Sequence, residues 1–262
     1  VELNSGGDWQ VRWDNTITYS AGWRLKSPDI AGLTPNTDDG DRSLGKGLVS
    51  NRVGLLSEFD VMRSGFGLRV SGAAWYDTVY NRRNDHDSPL TSSRATVAYN
   101  QFSPGTRDSA GRDAELLDWF VFGKHQFGQT NLSWRLGQHG LIWGTSLFFG
   151  MNGIAKGMAP IDVYKLNIPG TQAKETTIPV PQLSTTLQLT DDTSLEAYVQ
   201  FKYRPTRLAP SGSLLSATDM LGPGAERMWI GNPTSPARKC GTGALTPPAR
   251  FQNCYLDALG ID

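Results

Sequence analysis

The sequence lacks the features of several common protein classes. Its charges balance, with 25 Lys plus Arg against 25 Asp plus Glu, so it offers no excess of positive charge to a nucleic acid. No apolar run approaches the roughly 20 residues that a membrane-spanning helix needs. No charged and apolar leader opens the chain, and Val1 stands first, as expected of a processed secreted protein. These absences argue against a nucleic-acid-binding protein and against a helical membrane protein.

Cysteine is also scarce. The two cysteines, Cys240 and Cys254, lie near each other in a region rich in Pro and Gly. In an oxidising compartment we expect a disulfide between them, which would contribute about 3 kcal/mol by closing a loop of this size. Two unrelated free thiols are the alternative. No cluster of Cys and His accompanies the pair, so the sequence predicts neither a metal site nor a cofactor.

What is present is a strong alternation near the start of the chain. Between Trp9 and Leu25, one parity is apolar or aromatic with a single exception, and the other parity is polar. This period of two is typical of a β-strand whose faces meet different surroundings. The strand is long enough for the about 9 to 11 residues that cross a bilayer in a membrane barrel. Aromatic residues near both of its ends would fit two interfacial girdles.

Six further segments alternate in the same way, and a possible short strand lies at 95–99. Short turns at 63–65, 128–129 and 190–193 join them in pairs, whereas the other connections are long and polar. This asymmetry of short turns and long loops is typical of bacterial outer-membrane barrels. The predicted segments are 49–62, 66–77, 116–127, 131–138, 183–189 and 195–203.

These patterns predict an all-β fold. They give about seven strands, an odd number, whereas single-chain bacterial barrels close with an even number from about eight upward. An unclosed barrel would expose unpaired backbone groups to lipid at a prohibitive cost. We therefore expect a transmembrane antiparallel β-barrel of the bacterial outer membrane, of which residues 1–262 form only the amino-terminal part as one partial domain. Residues 208–262 are expected to be a long loop region.

The segment from Arg135 to Gln182 follows neither the helical nor the strand period. Gly and Pro interrupt it too often for a helix, yet it is too apolar for a solvated loop. Non-helical backbone at membrane depth is tolerated only inside a barrel or against protein. We therefore predict that residues 143–181 fold into the lumen as a constriction. Its expected functional residues are Trp143, Phe148, Phe149, Lys156, Asp162, Lys165, Lys174 and Glu175.

Two interpretations of this segment remain open. Its aromatic residues would meet a hydrophobic or amphipathic cargo, such as lipid-like, fatty or aromatic compounds, or they would form only the core of a plug. Its charged residues would hold the segment to the wall through ion pairs, or they would meet a polar head group.

The polar parity of the strands predicts the lining of the lumen. The lining set carries both signs, which does not favour strong selection for one sign of ion. These side chains would either face the cargo or pair with one another and stiffen the wall. The predicted lining residues are Arg12, Asp14, Arg24, Arg69, Trp75, Asp77, Asp118, Phe120, Phe122, Lys124, Arg135, Glu196, Lys202 and Arg204.

Two other groups of residues suggest specific chemistry. Asp38, Asp39 and Asp41 could hold Ca²⁺ through oxygen ligands, but the spacing of a calcium loop is absent, and we expect a solvated acidic loop. Ser146 near His139 would suit an outer-membrane lipid hydrolase. No GxSxG motif is present, so we expect a protein without enzymatic activity.

Several stretches resemble the bacterial outer-membrane family catalogued as domain of unknown function 1302. They occur in family order from Asp8 to about Pro223: DWQVRWDNT, DDGDRSLGKGLVSNR, GAAWYDTVY, ELLDWFVFG, RLGQHGLIWGTSLFF, APIDVYKLNIPGTQAKE, PVPQLS and YRPTRL. The resemblance implies a barrel in the outer membrane, surrounded by lipid. It also implies association with periplasmic lipid-handling proteins and with inner-membrane transporters of the resistance-nodulation-division type. A docking barrel in a lipid-transport assembly is the alternative to a conduit.

Overall fold

A computed structural model describes residues 8–128, 130–142, 159–229 and 255–257. Seven strands form one antiparallel sheet in chain order, which confirms the all-β prediction. Within the described residues the order runs from β1 at one edge to β7 at the other, and the sheet does not close on itself. The strands are β1 (Trp9–Arg24), β2 (Gly47–Arg63), β3 (Phe66–Asp77), β4 (Arg112–Phe127), β5 (Thr130–His139), β6 (Val180–Gln188) and β7 (Ser194–Gln200).

The helices among the described residues are all short. They are α1 (Asp39–Ser43), α2 (Pro104–Thr106) with a π-helical turn at Arg107–Gly111, α3 (Val163–Leu166) and α4 (Ala173–Thr176). In the part of the chain that the structure describes, no helix has the length and apolar character needed to cross a membrane.

Two further strands lie in the region expected to be loop. Strands β8 (Arg227–Trp229) and β9 (Tyr255–Asp257) pair with each other in a separate antiparallel sheet. The side chain of Asn36 holds β8 by accepting from the backbone N–H of Trp229 at 2.7 Å and donating to its carbonyl at 2.8 Å. A three-residue strand with a partner so distant in sequence leaves no local pattern, which explains why alternation did not reveal it.

The possible strand at 95–99 does not form. The backbone N–H groups of Ala95 and Thr96 donate to the carboxylate of Glu226, so they are not free for a strand ladder. The segment consists of bends and turns instead.

The tight connection between β2 and β3 follows from two residues with positive φ. Ser64 has φ 48° and Gly65 has φ 84°, the combination that a two-residue type I′ turn requires. Because this turn matches the twist of the strands, it makes β2 and β3 adjacent partners.

The register of β4 to β7 separates their side chains into two faces. One, which we call the polar face, contains two rows of directly opposed residues: Phe122, Arg135, Ser184 and Tyr198, and Lys124, Ser133, Thr186 and Glu196. The other, which we call the apolar face, contains the rows Val121, Leu136, Leu183 and Val199, and Leu132, Leu187 and Leu195.

The chain divides into two compact units. The first comprises residues 1–18, 54–74 and 114–207. The second comprises residues 19–53, 75–113 and 208–262. Strands β1 to β4 therefore contribute residues to both units, whereas β5, β6 and β7 lie in the first.

The second unit has a small aromatic core. The rings of Tyr80 and Phe102 lie 4.9 Å apart, and both side chains are buried. Trp75 is buried beneath the guanidinium of Arg52, which lies 4.8 Å from the ring centroid, and its indole N–H donates to the carbonyl of Ser109 at 3.1 Å.

In the first unit, Gly137 of β5 is required by the backbone. Its φ is +133°, and a Cβ there would lie 2.4 Å from the carbonyl oxygen of Trp119 on the neighbouring strand. We expect Gly137→Ala to lower the free energy of unfolding by about 1–3 kcal/mol because both the conformation and the space exclude a side chain. Gly54→Ala in β2 is the matched control, since its Cβ would meet only the Thr18 oxygen at 4.0 Å. Urea unfolding midpoints would check this, and equal midpoints for the two variants would contradict it.

Candidate functional site

A cavity of about 1100 Å³ lies in the first unit, on the polar face. Residues from β1 to β7 line it, and Leu141 and Ile142 from the segment after β5 also contact it. Eight of the predicted lumen-lining residues lie on its wall: Arg12, Arg69, Asp118, Phe120, Phe122, Lys124, Arg135 and Glu196. The register settles the orientation of β4, which its sequence left ambiguous because both parities carry aromatic residues.

Three other predicted lining residues belong to the first unit. Asp14 accepts from Arg12 Nε at 2.5 Å. Lys202 and Arg204 follow the end of β7, and Arg204 donates to Gln138 Oε1 at 2.8 Å. None of the three is among the residues that line the described cavity.

The remaining three belong to the second unit. Arg24 pairs with Asp41 at 3.0 Å. Trp75 belongs to the buried core described above. Asp77 is buried and accepts from the hydroxyl of Ser50 at 2.7 Å and from the backbone N–H of Asn51 at 3.1 Å. The structure thus places them in internal contacts of the second unit.

Two aromatic rings of β4 belong to the apolar part of the cavity wall. The ring centroids of Phe120 and Phe122 lie 6.0 Å apart. The Phe122 ring lies over Gly67 of β3, where a Cβ would come within 2.3 Å of it. Phe120 lies opposite Gly137, where a Cβ would come within 3.0 Å of its own. Strand glycines on both sides therefore make room for this aromatic pair.

A histidine beside these rings is bound to serine. His139 is buried, and its ring lies 5.4 Å from that of Phe120. Its Nε2 lies 2.8 Å from Ser184 Oγ, and its Nδ1 lies 3.1 Å from the carbonyl oxygen of Gly137. An N–H on Nδ1 satisfies the carbonyl, so Nε2 accepts from the hydroxyl of Ser184. Ser146, the predicted partner of His139, lies outside the described residues.

Ion pairs join the segment 159–178 to strand β4. The ammonium of Lys165, whose side chain is 4% exposed, contacts the carboxylate of Glu115. Arg207 binds the same carboxylate at 3.0 Å and also binds Asp162 at 2.8 Å. Asp162 in turn accepts from the backbone N–H of Lys165 at 3.0 Å. Helix α3, the first helix of the segment, is therefore held by a network of two carboxylates, Glu115 and Asp162, and two cations, Lys165 and Arg207.

A second ion-pair group joins the same segment to β2 and β3. The ammonium of Lys174 contacts the carboxylate of Glu58, which also binds Arg69 at 2.5 Å. Arg69 further lies 3.7 Å from Asp60. Glu175 makes no such contact with the strands, because its carboxylate accepts from the backbone N–H of Gln172 at 3.0 Å and caps its own helix.

Trp143, Phe148, Phe149 and Lys156 lie outside the described residues, and so do Cys240 and Cys254 of the predicted disulfide.

The second unit contains a buried acidic cluster. Ligand atoms of Asp38, Asp39 and Asp219 lie within 4.8 Å of one another, and all three side chains are buried. The expectation of a solvated acidic loop is therefore wrong for Asp38 and Asp39. Arg42 Nε binds Asp38 at 2.6 Å, and the buried Arg94 supplies a second positive charge to the cluster. These two arginines balance charge that a bound cation would otherwise balance.

Asp39 is the best satisfied member of this cluster. It is bound by His86 Nε2 at 2.8 Å and by the hydroxyl of Ser93 at 2.5 Å. Burial acts to raise the pKa of Asp39, but the His86 hydrogen bond and the charge of Arg94 outweigh burial and lower the pKa below its usual value. These contacts therefore favour the ionised form of Asp39.

Asp219 behaves in the opposite way. Burial raises its pKa to about 7, and the negative charges of Asp39 and Asp38 act in the same direction. Burial likewise raises the pKa of Asp38. Because folded Asp219 holds its proton more tightly than the unfolded chain does, it stabilises the fold most at low pH. This contribution is lost as the pH rises through the folded pKa of about 7.

We expect Asp219→Asn to remove this pH dependence. Between about pH 5 and about pH 7, the unfolding free energy of the wild type should fall relative to that of the variant. In this range only the wild type releases a proton from the side chain of residue 219 when it unfolds. Asp192→Asn, in the exposed turn between β6 and β7, is the control and should follow the wild type. Urea titrations across this range would measure the difference. Parallel curves for wild type and Asp219→Asn would contradict the assignment.

Sequence reasoning missed several residues of these networks. Glu58 lies on the polar parity of β2 and could have been included from alternation alone. Glu115 was missed because the predicted strand began at Leu116, one residue later. Arg207 and Asp219 lie outside strands, where no period identifies a side chain that returns to a distant partner.

The comparisons with known proteins give one finding. The model of the family described as Protein of unknown function (DUF1302) matches residues 1–255. No curated protein and no solved structure matches the chain. The match covers nearly the whole chain and confirms the resemblance carried by the motifs. The chain therefore belongs to the family Protein of unknown function (DUF1302).

Proposed function

We propose that this chain forms part of a β-barrel of the bacterial outer membrane and serves as a conduit for hydrophobic or amphipathic compounds. In this proposal the apolar face meets lipid and the polar face lines the lumen. Segment 159–178 narrows the passage. A periplasmic lipid-handling protein and an inner-membrane transporter would deliver or remove the cargo.

The opposite character of the two faces carries the proposal. The apolar row from Val121 to Val199 crosses four adjacent strands without a polar side chain, and Val199 is 59% exposed. Other apolar residues of the first unit are also exposed to solvent, and the exposed fraction of Ile17 is 77%. Soluble proteins rarely expose a continuous apolar surface larger than a few hundred Å². A hydrocarbon environment removes this cost, because the exposed side chains then contact lipid.

The second unit offers the same kind of observation on its own strand residues. Tyr19 and Trp23 of β1 are 68% and 62% exposed, and Val53 and Tyr76 are about half exposed. Tyr19 also donates from its hydroxyl to Asn51 at 2.9 Å. A ring that is apolar in its body and hydrogen-bonded at its tip suits the interface between hydrocarbon and water.

The cavity supports the conduit rather than a solid barrel core. Its wall combines the Phe120 and Phe122 rings with charged groups of both signs. Apolar rings would lower the cost of passing a hydrocarbon chain, and the charged groups would keep the passage wet. The two ion-pair groups that hold segment 159–178 favour a fixed constriction. The Lys165–Glu115 pair is the more buried of the two, whereas the Lys174 side chain is 41% exposed and solvent weakens its pair with Glu58.

A charge on the apolar face tests the membrane orientation. We expect Val121→Arg to reduce the free energy of folding into phosphatidylcholine vesicles by about 2–4 kcal/mol, since it would place a guanidinium in hydrocarbon. Thr186→Arg on the polar face is the matched control, because it would lie opposite Glu196 and remain in water. Urea titration in vesicles measures both. Equal stability of the two variants would refute a lipid-facing apolar face.

Conductance tests the passage itself. In planar bilayers we expect the full-length protein to conduct ions steadily. The double variant Glu58→Gln/Glu115→Gln should conduct severalfold more, because it frees Lys174 and Lys165 from their carboxylates. Glu175→Gln is the control, since it changes the charge of the same segment and leaves both contacts intact. If the wild type and both variants conduct no ions, the conduit proposal is refuted and a docking barrel is favoured.

A further inference from the structure

We infer that the cavity binds the anionic head group of an amphipathic ligand, with Arg135 and Lys124 as the head-group contacts and the Phe120–Phe122 pair beneath the apolar chain. This inference rests on the proposed conduit function and adds the chemical class of its cargo, an apolar chain that ends in a carboxylate or a phosphate.

The first argument is the distribution of charge on the cavity wall. Four cations line it, and two of them are already neutralised. Arg12 is paired with Asp14, and Arg69 is paired with Glu58 and with Asp60. The structure records no ion pair for Lys124 or Arg135 within the ranges that it describes, and both side chains are solvent-exposed. The charge of Lys124 is therefore available to a ligand, and Arg135 is also open to a ligand while its charge acts on the carboxylate of Asp118.

The two remaining carboxylates of the wall lie too far away to neutralise Lys124. Glu196 is in the same row as Lys124, but Ser133 and Thr186 separate them. Three strand spacings correspond to about 14 Å. Asp118 lies six positions before Lys124 on β4, about 20 Å along the strand, and its carboxylate accepts from the hydroxyl of Ser71 at 3.3 Å. Screening in the wet cavity weakens such distant pairs further.

The second argument is the spacing of Arg135 and Lys124. Lys124 lies directly opposite Ser133, two positions before Arg135 on β5. The two cations are therefore diagonal neighbours on one face, with backbones about 7–8 Å apart. Two long side chains at that spacing can converge on one carboxylate or phosphate. An arginine fork binds either group through two parallel N–H bonds, and a lysine adds a point charge.

The third argument is the aromatic surface next to these cations. Phe122 lies directly opposite Arg135, and the Arg135 guanidinium lies 5.8 Å from the Phe120 ring centroid. This contact holds the guanidinium against the ring and leaves its N–H groups directed outward. Moving along β4 from Lys124, a bound molecule would meet Phe122 and then Phe120. Lys124 lies at one end of this row and the Arg135 guanidinium lies beside Phe120, so charge and apolar surface adjoin, as a head group and its chain require.

The test compares an acid with its ester. Dansyl-undecanoic acid and its methyl ester would be titrated against the protein in nanodiscs, with empty nanodiscs subtracted. We expect the wild type to bind the acid at least about tenfold more tightly than the ester, because a charge-assisted hydrogen bond lowers the dissociation constant by about tenfold or more. In Lys124→Gln/Arg135→Gln this preference should vanish while the ester still binds. Lys202→Gln, which removes an exposed cation that lines neither this cavity nor the smaller one beside Lys124, should keep the preference.

Competitors distinguish the head groups, and the outcomes separate this inference from the conduit. Displacement of the probe by lauric acid identifies a carboxylate site, and displacement by lauryl phosphate identifies a phosphate site; lauryl alcohol should displace it least. Equal binding of acid and ester by the wild type would overturn the head-group inference and leave the conduit standing. A preference that survives in the double variant would also overturn it. Binding of neither probe would count against the conduit as well.

Discussion

Alternation across the pleat is the constraint on which the first unit depends. Successive residues of a strand point to opposite faces, so a single register places Phe122 and Arg135 on one side and Val121 and Leu136 on the other. A slip of one residue would exchange the two sets and place the apolar row in the cavity. The register of the hydrogen-bond ladder from β4 to β7 therefore determines both the cavity wall and the apolar face.

Ion pairs supply the second level of organisation. Glu58 and Glu115 each accept two cations, one from segment 159–178 and one from elsewhere in the first unit. A largely buried carboxylate with two partners is better compensated than one with a single partner, because more of its oxygen lone pairs are satisfied. In the same arrangement, Glu58 neutralises Arg69 and Glu115 neutralises Lys165 within the protein. Among the cations of the cavity wall, Lys124 and Arg135 have no ion pair recorded in the described residues.

The success of the sequence analysis followed the length of the patterns. The seven predicted strands match the seven strands of the sheet because each repeats its period over several residues. The orientation of strand β4 was harder to predict. Phe120 and Phe122 lie on one parity and Trp119 and Val121 on the other, so hydrophobicity alone cannot say which parity faces the cavity. The structure resolves this by placing glycines, Gly67 and Gly137, where the Phe rings need space. An aromatic ring over a strand glycine is a contact between strands, and no single-strand period contains it.

By itself the sequence determined the all-β class, the strand boundaries to within a few residues, the alternation of the faces and the family. These properties are local, because each depends on residues that are neighbours along the chain or on motifs read in order. Tertiary structure decided which charged side chains form ion pairs. It brought Asp219 to Asp39 and Lys174 to Glu58 across long separations, and it buried an acidic loop that looked solvated. Burial and pairing are properties of the surroundings, and a side chain acquires its surroundings only when distant segments pack together.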